Sequence, residues 1–159
     1  MFQRIVVAVS DSAGAEGLGA ATAELTASRE AEVLFVHVAE CNVCCGAQDH
    51  PALHAHERDI LEQLVADLTG RGISSRGEQR MTATGRVDEN MLDAAAEFRA
   101  DLLIVPASRP GRLSGRAQRR VIDQLVRGAD CPVLVLPRPA VGRRRGSGDL
   151  LALEQEVEA

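Results

Sequence analysis

The sequence predicts an α/β fold: a three-layer sandwich built on a parallel sheet. Three observations carry this. DLLIV (101–105) and PVLVLP (132–137) are short, continuous apolar runs, too short for helices and bounded by Pro106 and Pro137. Between them, GRAQRRVIDQLVRGA places Val121, Leu125 and Ala129 on one helical face. Apolar strands on either side of an amphipathic helix indicate a βαβ unit in a buried parallel sheet. Sheets of this kind bind ligands at the carboxyl ends of their strands, so the segment from Pro106 to Gln118 is the first place to look for function.

The elements follow in order. Arg4 to Val9 (RIVVAV) form strand one. Ser12 suits an N-cap for helix one, expected from Ala13 to Ser28 with its first turns weakened by Gly14, Gly17 and Gly19. Ala31 to Val38 form strand two, in which His37 alternates with apolar neighbours and reads as a satisfied sheet residue rather than a ligand. Pro51 suits the first turn of helix two, which runs to Thr69 on a stripe of Leu53, Ile60, Leu61, Leu64, Val65 and Leu68 and stops at Gly70 and Gly72. Ile73 to Thr82 make a polar, edge-like strand three. Val87 to Arg99 make helix three, and the last strand–helix–strand unit follows. Alternation with short links gives helices on both faces of the sheet, joined by right-handed crossovers.

Composition limits the function. With 159 residues, 45% of them apolar, the chain has one domain's worth of core. No apolar run approaches the roughly 18 residues that span a bilayer, and the N-terminus lacks the order of a signal peptide. A cytoplasmic protein with no membrane partner is expected. Three Phe, with no Trp or Tyr, leave no aromatic platform for stacking bases, so no nucleic-acid partner is expected.

Charge is unevenly distributed. Residues 106–146 carry ten Arg against Asp123 and Asp130, in a chain of net charge −5. Arg109, Arg112, Arg116, Arg119 and Arg120 crowd the loop and first turns of helix four. Helix N-termini attract anions and Arg grips phosphate bidentately. This cluster therefore reads either as an anion site or as a solvated face that pairs with an acidic partner.

A second cluster, CNVCCGAQDHPALHAH, holds Cys41, Cys44 and Cys45, then His50, His54 and His56. Cys41 and Cys44 are spaced for two thiolates on one metal, and zinc takes Cys with His. The expected ligand set is Cys41, Cys44, Cys45, His50 and His54. The alternatives are a loop with incidental Cys and His, or a reversible disulfide tuned by a neighbouring helix N-terminus. Cys131, before Pro132, reads as packing. No Ser-His-Asp constellation and no P-loop occur, so no catalysis is expected beyond slow nucleotide hydrolysis.

Several stretches together resemble the universal stress protein family: QRIVVAVSDS, TGRVDENMLDAAAEFRADLLIV and the run ending in CPVLVLP. The resemblance spans roughly residues 2–137 and implies an adenine nucleotide alpha hydrolase-like sheet of five strands in the order 3-2-1-4-5. It makes residues 1–137 the domain; the tail, 138–159, reads from its own residues (RPAVGRRRGSGD, then LLALEQEVEA) as partly disordered or a short helix. It also implies a stress-associated regulatory or binding protein that dimerises through its last strand. Nucleotide-binding members carry Gly-x2-Gly-x9-Gly-Ser/Thr across the phosphate loop. The corresponding positions here are Pro106, Arg109, Arg119 and Arg120, with Gly111 and Gly115 at other spacings. The family's adenine-side Asp falls on Ser10, with Asp11 displaced by one, while Val38 matches the small apolar residue beside the base. The expectation is a protein that does not bind ATP in the family's usual mode. The alternatives are a metal- or redox-responsive module on the 41–56 loop, or an ATP-binding protein whose phosphate loop works through arginine. Ser10, Asp11, Val38, Arg109, Arg112, Arg116 and Arg120 are the candidate ligand residues. The cofactor stays open among zinc, ATP and another anion.

Overall fold

The computed structural model describes residues 2–10, 17–26, 30–41, 55–107 and 114–137. Five strands, β1 (Arg4–Ala8), β2 (Glu32–Cys41), β3 (Ser74–Ala83), β4 (Leu102–Pro106) and β5 (Val133–Leu136), form one sheet. Four helices, α1 (Leu18–Leu25), α2 (Ala55–Gly70), α3 (Val87–Phe98) and α4 (Ser114–Gly128), alternate with them. The strand order is β3-β2-β1-β4-β5 and every pairing is parallel. This is the expected three-layer sandwich.

Alternation along the central strands divides the core in two. Ile5, Val7, Val33, Phe35 and Ile104 point to one face and meet Leu18 of α1 and Ile60, Leu61, Leu64 and Leu68 of α2. Val6, Leu34, Val36, Leu103 and Val105 point to the other and meet Met91, Ala94 and Phe98 of α3 and Leu125 of α4. Strands buried on both faces must be apolar at every position, which is why these runs show no polar alternation.

Some boundaries differ from the sequence expectation. Among the described residues α1 begins at Leu18 behind a Gly17 cap with φ 82°, a left-handed conformation that glycine adopts without steric cost. Ser12, Ala13 and Ser28, part of the span expected for this helix, lie outside the described residues, as does Pro51 of helix two. Strand two does not stop at Val38. β3 is equally long and supplies partners for Ala39, Glu40 and Cys41 in Met81, Thr82 and Ala83, so backbone pairing carries β2 three residues further.

β3 is an edge strand, and its polarity has a use. On the α2 side, Ser75 Oγ donates to the Val65 carbonyl at 3.2 Å. A Cβ on Gly77 would sit 3.2 Å from Leu61 Cβ, so glycine lets α2 approach closely. On the α3 side, Arg80 binds Glu78 at 2.6 Å and Glu97 at 2.5 Å. Burial works against the Arg80 charge, but the two carboxylates outweigh it and hold its pKa above the ordinary arginine value. Arg76 lies 5.3 Å from the Phe98 ring centroid. Charged side chains also keep an open edge from pairing with other chains.

At the amino ends of the strands, Asp101 clamps the entry of β1. Its carboxylate accepts from Gln3 N at 2.7 Å and Arg4 N at 2.9 Å. Nearby, Cys131 is half-buried against the α3–α4 core; desolvation, then Asp101 and Asp130, pushes its thiol pKa up. Asp101→Ala leaves two backbone donors without their charged acceptor. We expect a loss of about 1–2 kcal/mol in urea unfolding, and an unchanged midpoint would show that water replaces the clamp at no cost.

Candidate functional site

The chain order reverses at β1: β2 and β3 lie on one side, β4 and β5 on the other. The helices that follow β1 and β4, α1 and α4, pack on opposite faces of the sheet, and a crevice opens at the carboxyl ends, the usual ligand position in such sheets. A cavity of about 420 Å³ fills this place.

Its walls change character from bottom to mouth. Val36, Met91, Val105 and Leu125 lie deep and are almost completely buried. Val38, Val121 and Ile122 are half-buried above them. Ser10, Glu40, Gly85 and Arg120 stand exposed at the rim, with Asp88 half-buried beside them. An apolar pocket with a few convergent polar groups is the ordinary form of a small-molecule site.

The rim is built locally. Gly85 has φ 85°, which a side-chain-bearing residue adopts only with strain. It turns the chain from β3 into α3 and aims its N–H at Glu40 Oε1, 2.6 Å away. That turn places Asp88 in the first turn of α3, where an acid also suits the helix dipole. Across the opening, Arg120 projects from α4. Neither Asp88 nor Arg120 makes a hydrogen bond or salt bridge among the described residues. His37, buried in the wall, has its Nδ1 2.9 Å from the Val9 carbonyl. A carbonyl only accepts, so Nδ1 carries the proton and donates, and in the neutral ring Nε2 is left as an acceptor. This is the satisfied sheet histidine expected from the sequence.

Of the candidate ligand residues, the structure brings Ser10, Val38 and Arg120 together around the cavity. Asp11, Arg109 and Arg112 lie outside the described residues. Arg116 belongs to α4 by its backbone. Pro106, in place of the first phosphate-loop glycine, closes β4 at the cavity wall. Arg119 does not line the cavity; it shares the outer face of α4 with Asp123 and Arg127. The proposed metal ligands Cys44, Cys45, His50 and His54 lie outside the described residues, and of Cys41 only the backbone, at the end of β2, is described. Among the described residues no group of three or more His, Cys, Asp or Glu is placed to hold a metal, and no helix is long and apolar enough to cross a membrane.

The sequence reading missed Glu40, Asp88 and Met91. The conspicuous clusters of Cys, His and Arg follow strands two and four, whereas Asp88 reaches the rim through the β3–α3 turn. The signal was Gly85, two residues past the end of β3 and two ahead of Val87, where α3 begins.

The profile of the universal stress protein family matches residues 1–137. The chain belongs to this family. Solved structures agree on the fold. A universal stress protein family member from Burkholderia pseudomallei is 28% identical, with a TM-score of 0.64 over 85% of this chain and 96% of that one. The Archaeoglobus fulgidus universal stress protein in complex with dAMP is 21% identical, with a TM-score of 0.63 over 84% and 96%. An Arabidopsis thaliana family protein with AMP bound is 19% identical, with a TM-score of 0.62 over 87% and 93%. No curated protein matches the sequence.

His37→Ala would remove the donor to the Val9 carbonyl beneath the rim. A loss of about 1–3 kcal/mol of stability is expected by urea unfolding, the cost of a buried acceptor left unpaired. A variant as stable as the parent would mean that water takes over the bond.

Proposed function

We propose that this chain is a stress-associated regulatory protein that binds an adenine nucleotide in the β1–β4 crevice without turning it over. The observation that carries the reading is the cavity itself. Its apolar depth has the size for a base, Val38 stands beside it, and Arg120 is a cation at the mouth with no salt bridge among the described residues. Relatives of the same fold hold AMP and dAMP, and another universal stress protein holds cAMP. These relatives favour the nucleotide reading over a metal module built on the 41–56 loop.

The phosphate is gripped in a different way from the glycine mode. Pro106 has no N–H to give, and the positions of the other loop glycines carry arginine. Guanidinium groups supply the anion contacts instead, so a first phosphate is welcome and further phosphates gain little. Isothermal titration should show AMP binding at micromolar concentrations, with ATP no more than a few-fold tighter. Arg120→Ala should weaken AMP about five- to tenfold and flatten its salt dependence. Absence of AMP binding at about 1 mM ligand would overturn the reading.

The proposal extends to assembly as a homodimer through β5. This strand is a sheet edge, with Val135 exposed at 38% and Leu134 and Leu136 only half-buried. An apolar edge of this kind is stabilised by pairing. Val135→Glu should give monomers by light scattering where the parent gives dimers; a monomeric parent at micromolar concentration would end the idea.

A further inference from the structure

The cavity mouth is bipolar, and nothing in the nucleotide reading uses its acidic side. Asp88 and Glu40 stand on the α3 side of the rim and Arg120 on the α4 side. The two carboxylates are not equivalent. Glu40 Oε1 is taken by the Gly85 N–H at 2.6 Å, so Glu40 holds the turn and acts as a positioning residue. Asp88, half-buried on the next turn of chain, makes no hydrogen bond or salt bridge among the described residues, and its carboxylate is available as an acceptor.

A carboxylate beside an anion site is costly unless the ligand brings donors to it. The exposure gradient says which donors. Apolar walls at Val36, Met91 and Leu125 take the flat base, and Arg120 at the mouth takes the phosphate. The sugar is the part that lies between them, at the level of Asp88. A ribose presents two adjacent hydroxyls, and one carboxylate accepts from both. A deoxyribose brings one donor and leaves the repulsion between carboxylate and phosphate less well offset. We propose that Asp88 reads the ribose diol and makes this site selective for ribonucleotides over 2′-deoxyribonucleotides. The inference rests on the nucleotide reading above.

The test is isothermal titration of the full chain with AMP and with 2′-deoxy-AMP, comparing the parent with Asp88→Ala and Asp88→Asn, each variant first checked by thermal melting. The parent should bind AMP about five- to tenfold more tightly than the deoxy analogue, the scale of a partly exposed hydrogen bond to a charged group. Asp88→Ala should bring that ratio to about one, with deoxy-AMP bound as tightly as before or up to about twofold tighter because a like charge is gone. Asp88→Asn, which keeps the shape but halves the acceptor capacity, should fall between them. Equal affinities in the parent, or a ratio that survives Asp88→Ala, would overturn the inference and leave the nucleotide reading standing. So would a loss of affinity shared equally by both ligands, which marks a structural role. If neither nucleotide binds the parent, this inference and the nucleotide reading fall together.

Discussion

Everything else in this molecule depends on the burial of β1. It pairs with β2 on one edge and β4 on the other, and both its faces lie under helices. Its residues therefore satisfy four neighbours at once, and Ile5, Val6 and Val7 have no exposed surface. Two polar contacts finish what apolar packing begins. Asp101 ties down the entry backbone, and His37 takes up the Val9 carbonyl just beyond the strand's end. The same topology makes the site. Because the chain builds outward from β1 in one direction and then the other, no helix can cover the carboxyl ends of both β1 and β4. The crevice is a consequence of strand order before any side chain lines it.

Polar residues are placed where this architecture runs out of neighbours. β3 has β2 on one side only, so its side chains cannot all be apolar without exposing a sticky edge. The strand answers with Ser75 against the α2 backbone and Arg80 between Glu78 and Glu97. These contacts hold helices to the sheet through hydrogen bonds and charge where the two apolar cores end. The length of β3 has a second effect. By pairing as far as Ala83 it carries β2 on to Cys41, brings Glu40 level with the β3–α3 turn and allows its bond to Gly85. A weak-looking strand thus sets one wall of the mouth.

The sequence made the layers legible, and for a physical reason. Strands buried on both faces and helices buried on one leave different hydrophobic periods, and these survive in the chain as DLLIV beside VIDQLVRGA. Strand order did not show in periodicity; it came with the family resemblance, since pairing is a long-range property. The site was half legible. Three residues that line the cavity were named, Ser10 and Val38 through the family resemblance and Arg120 through its charged run. Asp88 and Glu40 were not, because each is an ordinary acid locally. What brings them to one rim is the β2–β3 register, which sets the end of β2 beside the turn from β3 into α3. Leu125 was read on the apolar face of its helix, and it is buried there; its second role as a cavity wall, beside Met91, exists only in three dimensions.

The exchange of glycine for arginine changes the physics of anion recognition. Backbone N–H groups at a helix N-terminus are fixed in place, carry partial charge and lose no side-chain freedom on binding. Arginine carries a full charge on a long, mobile stem, and binding must order that stem at a cost in rotamer entropy. A glycine loop is therefore selective for shape, and it rewards each phosphate that fits its curve. An arginine rim is selective for charge, tolerates several shapes and loses strength as salt rises. In such a site discrimination between ligands has to come from elsewhere, from the apolar depth and from the carboxylates opposite the cation. A bipolar rim over an apolar pocket suits a small ligand with one anionic end and one donor-rich middle better than it suits a long polyphosphate.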